Sequence, residues 1–468
     1  MMSVKSGRLQ FLAPHILRSH LLRPGVVKMC LRMGLAQQMP AWAKLQFLNA
    51  GVRPADLEDV LSRITSLETW VDEWEALGLR HERAGTAGLA AGDRREAAEH
   101  FKSAAVAYNF AQYVLFFDIQ RKRTLHRACV SAYGQAAPLL DPPARRVEIP
   151  FRRRSMVGYL RVPPGAPAPV IVVFNGTNAV KEELHAWSEA MLDRGLAVLA
   201  FDGPGLGETW HRLSMVAEPR PVGRAIMDHL EKLPEVDARS VAMLGMSLGG
   251  YLAIRMASFD RRIKAVAAVC PPFSADIYWN VTLASMRREL AALYDTDERT
   301  MAACVNRITL GDVLPALRCP LLVVGGGRDM ITPGREAWRI FEAASCDREL
   351  IYYPTGLHDC FNVMGDLRPR MLNWIQRALG LATHAVEPVV TERRPAAEAV
   401  DPGFAEALTG EPVAGPRWHA TPPPARPAAP RWTWPALVAA PAPRTQVVLR
   451  RAAAAAAVPS AAGAAGGA

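Results

Sequence analysis

MLGMSLGGYLAIRMAS, residues Met243–Ser258, runs from an apolar stretch into a serine between two glycines and on into a helical pattern. The pentad is Gly245-Met246-Ser247-Leu248-Gly249, a G-x-S-x-G. Alone it is a weak signal. It gains meaning where a strand precedes it and a helix follows, because a serine on that sharp turn stands exposed beyond the sheet. The flanking glycines then remove side chains that would collide.

The surrounding residues supply that context. Strand patterns occur at Val147–Phe151, Val157–Val162, Val170–Phe174, Ala197–Phe201, Val241–Leu244, Ala265–Val269, Leu321–Val324 and Glu349–Tyr353. Most are separated by enough chain for a crossover helix, which predicts an α/β fold, a mostly parallel eight-stranded sheet with helices on both faces. The short turn near Arg153-Arg154 makes the first pair antiparallel. The connection from Pro271 to Arg318 is too long for a bare loop and predicts added helices. Ser247 then follows the fifth strand and opens a helix.

A serine hydroxyl needs a base, and the base needs an orienting acid. In a parallel sheet these groups belong beyond the carboxyl ends of the strands. LLVVGGGRDMITP supplies Asp329 after the seventh strand, and LIYYPTGLHDCFN supplies His358 after the eighth. Asp276, after the sixth strand, is the alternative acid. Asp359 reads as a loop residue pointing away from its neighbour's ring. Asp202 and Glu208 read as supports of the glycine-rich turn between them. Cys360 has no glycine elbow and reads as an inert thiol. His185, His211 and His229 lack a strand-end position. No cluster has metal-ligand spacing and no phosphate-cradling loop appears, so neither metal nor cofactor is expected.

Texture divides the chain into three. Residues 1–143 read as helical. Thr65-Ser66-Leu67-Glu68 reads as a capping box, with Trp70, Trp74 and Leu77 following on one face. After the Gly92-Asp93 turn, Ala97, Phe101, Ala105, Tyr108, Gln112 and Leu115 form a second stripe, so the pair resembles a single tetratricopeptide hairpin. Asp141-Pro142-Pro143 ends this region. Residues 144–383 carry the α/β pattern. Residues 384–468 are rich in proline and alanine and read as a disordered tail with too few large apolar side chains for a core.

The net charge is +10, of which +6 lies in the first forty residues as Lys5, Arg8, Arg18, Arg23, Lys28 and Arg32. Aromatic residues are not interleaved with these charges, which reads as a solvated basic face and not as a nucleic-acid site. No stretch reaches the ~18 apolar residues of a membrane span. Seven scattered cysteines without a C-x-x-C pair, and no secretory signal, predict reduced thiols and a cytoplasmic location. Association into a homo-oligomer is left open.

NGTNAVKEE (Asn175–Glu183), FDGPGLGE (Phe201–Glu208), GMSLGGY (Gly245–Tyr251), GRDMITP (Gly327–Pro333) and GLHDC (Gly356–Cys360) resemble the α/β-hydrolase superfamily. Within it they resemble the FrsA-like esterases, 2,6-dihydroxypseudooxynicotine hydrolase and the related polyketide-shortening hydrolases. The order Ser247, Asp329, His358 is the chain order expected of that fold. The resemblance spans about residues 70 to 382 and implies an all-helical amino-terminal domain capping the active site. It also implies an oxyanion hole built from the backbone N–H of Leu248 and that of Gly176 or Thr177.

The expected function is a serine hydrolase that cleaves a small or medium ester or thioester through an acyl-enzyme, with a small molecule as its partner. The resemblance adds carbon–carbon hydrolysis of aryl or polyketide β-dicarbonyl compounds. A third reading is a non-catalytic interaction protein docking through the helical hairpin. Tyr108, Tyr113, Phe116, Phe117, Trp187, Trp210 and Trp279 are candidate aromatic walls of an enclosed pocket, with inter-domain core as their other reading.

Overall fold

The central strands carry unbroken apolar runs, VIVVF and LLVV among them, because helices cover both faces of a parallel sheet and leave no solvent side to alternate toward. The computed structural model describes residues 41–115, 118–165, 167–177, 179–210, 212–281, 294–383 and 447–452, with isolated positions within 29–39 and 287–292.

Five helices come first: α1 (Ala41–Asn49), α2 (Pro54–Arg63), α3 (Leu67–Ala90), α4 (Arg94–Gln112) and α5 (Ile119–Ala136). The capping box of α3 is shifted by one residue from the sequence expectation. Ser66 is the N-cap, and its hydroxyl accepts from the N–H of Thr69 while the Thr69 hydroxyl accepts from the N–H of Ser66. Thr69 thus takes the role expected of Glu68. The hairpin of α3 and α4 closes on glycine-to-aromatic contacts. A Cβ on Gly78 would stand 2.6 Å from the Tyr108 ring, and one on Gly85 would stand 2.9 Å from the Phe101 ring. Trp74, Phe110 and Tyr133 belong to the same helical core, which extends to Tyr159 and Val180 of the sheet region.

The eight expected strands form as β1 (Arg145–Phe151), β2 (Arg154–Arg161), β3 (Ala168–Phe174), β4 (Ala197–Asp202), β5 (Val236–Met246), β6 (Ile263–Val269), β7 (Leu321–Gly326) and β8 (Arg348–Tyr353). A ninth, β9 (Val447–Arg451), comes from the segment read as a structureless tail. It pairs antiparallel with β8 and buries Val447 and Val448, so the sheet has nine strands in the order β1-β2-β4-β3-β5-β6-β7-β8-β9. Pairing is antiparallel at β1–β2, β2–β4 and β8–β9, and parallel between.

One face is covered by α6 (His185–Leu192) and, at the end of the sheet region, the Met364–Ala378 helix. The other is covered by α7 (Arg220–Leu230), α8 (Leu248–Ala257) and the Arg335–Ala343 helix. In chain order, α9 (Asp276–Val281) and α10 (Glu298–Cys304) occupy the long connection after β6, as its length predicts. The Arg335–Ala343 helix is then α11 and Met364–Ala378 is α12. Buried Arg161 donates to the carbonyls of Asp141 and Pro142 and to Glu189, which pins the junction between helices and sheet. Among the described residues, no helix is long and apolar enough to cross a membrane.

Candidate active site

The turn from β5 into α8 leaves almost no room. A Cβ on Gly249 would stand 2.6 Å from the carbonyl oxygens of Phe174 and Asn175, and one on Gly245 would overlap the Gly249 backbone. Only glycine fits either place. Ser247 between them has φ +52°, ψ −121°, a conformation that costs a non-glycine residue about 1–3 kcal/mol. Its N–H is tied to the Val269 carbonyl at 2.8 Å, and its own carbonyl accepts from Gly250 and Tyr251. The strain is held by β6 on one side and the first turn of α8 on the other.

The loops after β7 and β8 bring the partners. Arg328 N–H donates to Gly356 O at 2.8 Å, and a Cβ on Gly326 would meet the Gly356 and Leu357 carbonyls, so the two loops touch through bare backbone. Asn362 fastens the second loop, accepting from Leu357 N–H at 2.9 Å and donating to Thr355 O at 2.9 Å. Asp329 Oδ1 accepts from the N–H groups of Ile331 and Thr332, both at 2.8 Å. Its Oδ2 stands 2.8 Å from His358 Nδ1, and His358 Nε2 stands 3.1 Å from Ser247 Oγ. The structure therefore brings Ser247, His358 and Asp329 into one hydrogen-bonded line. Asp276, the alternative acid, lies in the first turn of α9, and His358 Nδ1 takes Asp329 as its partner instead.

Asp359 departs from the sequence expectation. Left-handed backbone at Asp359 and Cys360, φ 54° and 55°, turns its carboxylate back, and Oδ2 lies 3.7 Å from His358 Nε2. Burial pushes the imidazole down, but the charges of Asp329 and Asp359 and the Asp329 hydrogen bond outweigh it and hold His358 up at about 9. Burial raises the Asp359 carboxyl to about 6, against the pull of His358. This geometry can take a proton from Ser247 onto Nε2 and stabilise the imidazolium that results.

Gly176 stands against the serine: a Cβ there would lie 3.3 Å from Ser247 Cβ and 3.7 Å from Oγ. Its loop rests on a buried charge network that sequence reasoning missed. Lys181, fully buried, contacts Glu182 at 2.7 Å, Glu208 at 2.9 Å and Asp202 at 3.0 Å. Asp202 also accepts the backbone N–H groups of Lys181 and Glu208, and Arg146 holds Glu208 through both oxygens. The signal was a lysine beside two glutamates in an otherwise apolar context. Asp202 and Glu208 do support their turn, as expected.

A cleft opens next to this loop. Gln112 and Tyr113 at the end of α4, and Lys122 and His126 on α5, face Thr177, Gly205 and Trp210. Tyr113 and Trp210 thus line it, and Thr177 joins it to Gly176. Tyr108 does not: its ring fills the hairpin beside Gly78 and its hydroxyl donates to Glu82. Trp187 is buried between α6 and α12, with Arg368 over its ring, and Trp279 packs, partly buried, against the core on the opposite face of the sheet. Helical periodicity does not say which partner a ring meets. Phe116, Phe117 and His211 lie outside the described residues.

Among the described residues, one triplet of metal-ligand types converges, Cys270, His358 and Asp359, with one donor atom each within 4.8 Å of the others. Both His358 nitrogens are engaged by Asp329 and Ser247, and Cys270 Sγ lies 3.9 Å from Cys360 Sγ. The arrangement fits proton transfer better than ion coordination. Cys360 is fully buried.

A largely parallel sheet with a serine elbow after β5 and its partners after β7 and β8 defines the α/β-hydrolase class. Comparison with known proteins narrows it. The family model for FrsA-like esterases matches residues 67–294, and that for acetyl xylan esterase matches residues 224–378. The chain is 30% identical over 348 residues to 2,6-dihydropseudooxynicotine hydrolase of Paenarthrobacter nicotinovorans, covering 73% of this chain and 92% of that one. It is 28% identical over 244 residues to the α/β hydrolase pydG of an Acremonium species, covering 49% and 56%. The crystal structure of 2,6-dihydroxy-pseudo-oxynicotine hydrolase superposes with a TM-score of 0.67 at 27% identity, covering 74% of this chain and 99% of that one. The chain belongs to the α/β-hydrolases, in the group of FrsA-like esterases and 2,6-dihydropseudooxynicotine hydrolase, and is a hydrolase.

Proposed function

We propose that the protein is a serine hydrolase acting on an ester or thioester of a small or medium acyl compound. Ser247 Oγ attacks the carbonyl carbon and His358 Nε2 takes its proton. Asp329 holds the ring by Nδ1 and stabilises the imidazolium. The tetrahedral oxyanion is received by the N–H of Leu248 and that of Gly176 or Thr177, each donor worth about 2.7–4 kcal/mol in the transition state. The imidazolium returns the proton to the leaving group, and water, activated by the same nitrogen, releases the acyl-enzyme. The helical residues 1–143 act as a cap over the site.

The observation that carries this reading is the line Ser247–His358–Asp329 at 3.1 Å and 2.8 Å, reached from three strand ends. A fluorophosphonate probe tests it. Labelling of Ser247 in folded protein, lost in Ser247→Ala, is expected; an unlabelled Ser247 would overturn its role as the nucleophile.

Carbon–carbon hydrolysis of β-dicarbonyl compounds is the second reading, favoured by the match along 92% of the pseudooxynicotine hydrolase. It uses the same triad, with the carbon leaving group departing as a stabilised carbanion that must be protonated. Turnover of aryl esters, acyl thioesters and aryl 1,3-diketones side by side separates the two. Efficient diketone cleavage with poor ester turnover would put the second reading first.

A further inference from the structure

We propose that Glu183 is a positioning residue for the loop that carries Gly176, and that Asn109 of α4 holds it in place, so that the helical region sets the backbone beside Ser247. Its effect on catalysis rests on the hydrolase reading above; the tether itself rests on its own contacts.

The tether begins in an apolar part of α4. Residues 104–112 are all buried, and Asn109 and Gln112 alone among them carry amides. A fully buried amide is costly unless its donors and its acceptor are met. Gln112, one turn further on, donates from Nε2 to Asn109 Oδ1 at 2.8 Å. That bond fixes which way the Asn109 amide lies, with its oxygen toward Gln112 and its Nδ2 left for another acceptor. Nδ2 donates to Glu183 Oε1, across from the helical region to the loop after β3.

Glu183 is tied in turn to the rest of that loop. Its N–H donates to the Val180 carbonyl at 3.1 Å, and the same carbonyl accepts from Asn175 Nδ2 at 2.7 Å. Asn175 precedes Gly176, where a Cβ would lie 3.3 Å from Ser247 Cβ. The path Asn109–Glu183–Val180–Asn175 therefore ends one residue from the backbone that stands against the serine. Lys181 does not duplicate it. Its ion pairs join the loop to the turn after β4, whereas Glu183 joins the loop to α4. Burial, with Glu182 and Asp202 nearby, holds the Glu183 carboxyl up at about 8 against the hydrogen bonds from Asn109 and the Val180 backbone. It is thus largely protonated at neutral pH, and glutamine can stand in for it. At the other end Gln112 lines the cleft, so one chain of hydrogen bonds runs from the cleft wall to the loop.

The test uses the full chain with two readouts: the rate constant for phosphonylation of Ser247 by a fluorophosphonate, and hydrogen–deuterium exchange of peptides spanning residues 172–184. Glu183→Ala and Asn109→Ala should each slow phosphonylation at least about tenfold, as a misplaced reacting geometry does, and raise exchange in the loop. The double variant should be no slower than the slower single, because both cut one tether. Glu183→Gln, which keeps an oxygen for Asn109 Nδ2, should recover most of the rate. Exchange in β5 and α8 should stay at the wild-type level, which also shows that the variants fold. Unchanged loop exchange, single effects that multiply in the double variant, no recovery in Glu183→Gln, or exchange that rises throughout the sheet would overturn the proposal. An unlabelled wild-type Ser247 with loop exchange raised by Glu183→Ala would refute the hydrolase reading and support the tether.

Discussion

Asp359 sits on the side of His358 that meets Ser247, 3.7 Å from Nε2, where a single charge reaches both the base and the nucleophile. Its effect is on pH dependence. His358 must be neutral to accept the serine proton, and with its pKa held up at about 9 the neutral fraction grows only in alkaline solution. The profile of kcat/KM should therefore rise with pH through about 9 rather than through the ~6.5 of an unperturbed histidine. Asp359 is ionised above about 6, so its charge is present across that rise. Asp359→Asn removes one of the two charges favouring the imidazolium, and the acidic limb should move down by about one to three pH units. An unmoved limb would show that Asp359 does not act on His358. The left-handed turn that aims Asp359 is invisible in GLHDC, because ordinary backbone would send that side chain away from its neighbour's ring.

The loop after β3 owes its shape to one buried cation. Lys181 holds three carboxylates drawn from two segments: Glu182 beside it in the loop, and Asp202 and Glu208 at the ends of the turn after β4. Lys181→Met would leave Glu182 and Asp202 without their counter-charge in a dry interior, while Glu208 keeps Arg146, a change of about 3–5 kcal/mol in stability. The unpaired acids would then have pKa values raised above those of the unfolded chain, so the deficit should grow as pH rises through the carboxylate range. Urea unfolding at several pH values measures it; a loss below about 1 kcal/mol with no pH trend would mean that the network contributes little. Because the same loop carries Gly176, kcat should fall more than KM rises in any variant that stays folded.

At the scale of the molecule, β9 closes an edge that would otherwise stand open. It covers β8 through a five-residue ladder, buries Val447 and Val448, and pairs Arg450 with Glu349 at 2.8 Å. From sequence, truncation at 384 should leave stability and turnover close to intact. The strand changes that expectation. A chain ending at 446 or at 384 should lose roughly 3 kcal/mol or more, since each buried valine contributes about 1.5–3 kcal/mol. It should also expose the β8 edge to pairing with other chains. Chemical denaturation together with light scattering checks both consequences. Unchanged stability would show that the strand adds nothing to the folded molecule.

Local chemistry carried most of this protein in its sequence. Apolar runs marked eight strands because parallel strands covered on both faces cannot alternate. G-x-S-x-G marked the elbow because no other residue fits at 245 or 249. Strand ends pointed to Asp329 and His358 because a parallel sheet collects the chain at its carboxyl edge. What escaped were contacts between residues far apart in the chain, or set by a backbone angle. VVLRR is a plausible strand anywhere, and only the open edge of β8 selects it. Tyr108, Trp187 and Trp279 satisfied the pattern of a pocket wall as well as that of a core. Gly78 took the first ring, the packing of α6 and α12 the second, and the core on the opposite face of the sheet the third. Nothing in KEE by itself marks Lys181 as a buried cation until β4 places Asp202 beside it. Periodicity fixes the face a side chain takes, while its partner is chosen by packing and by the pairing of buried charge.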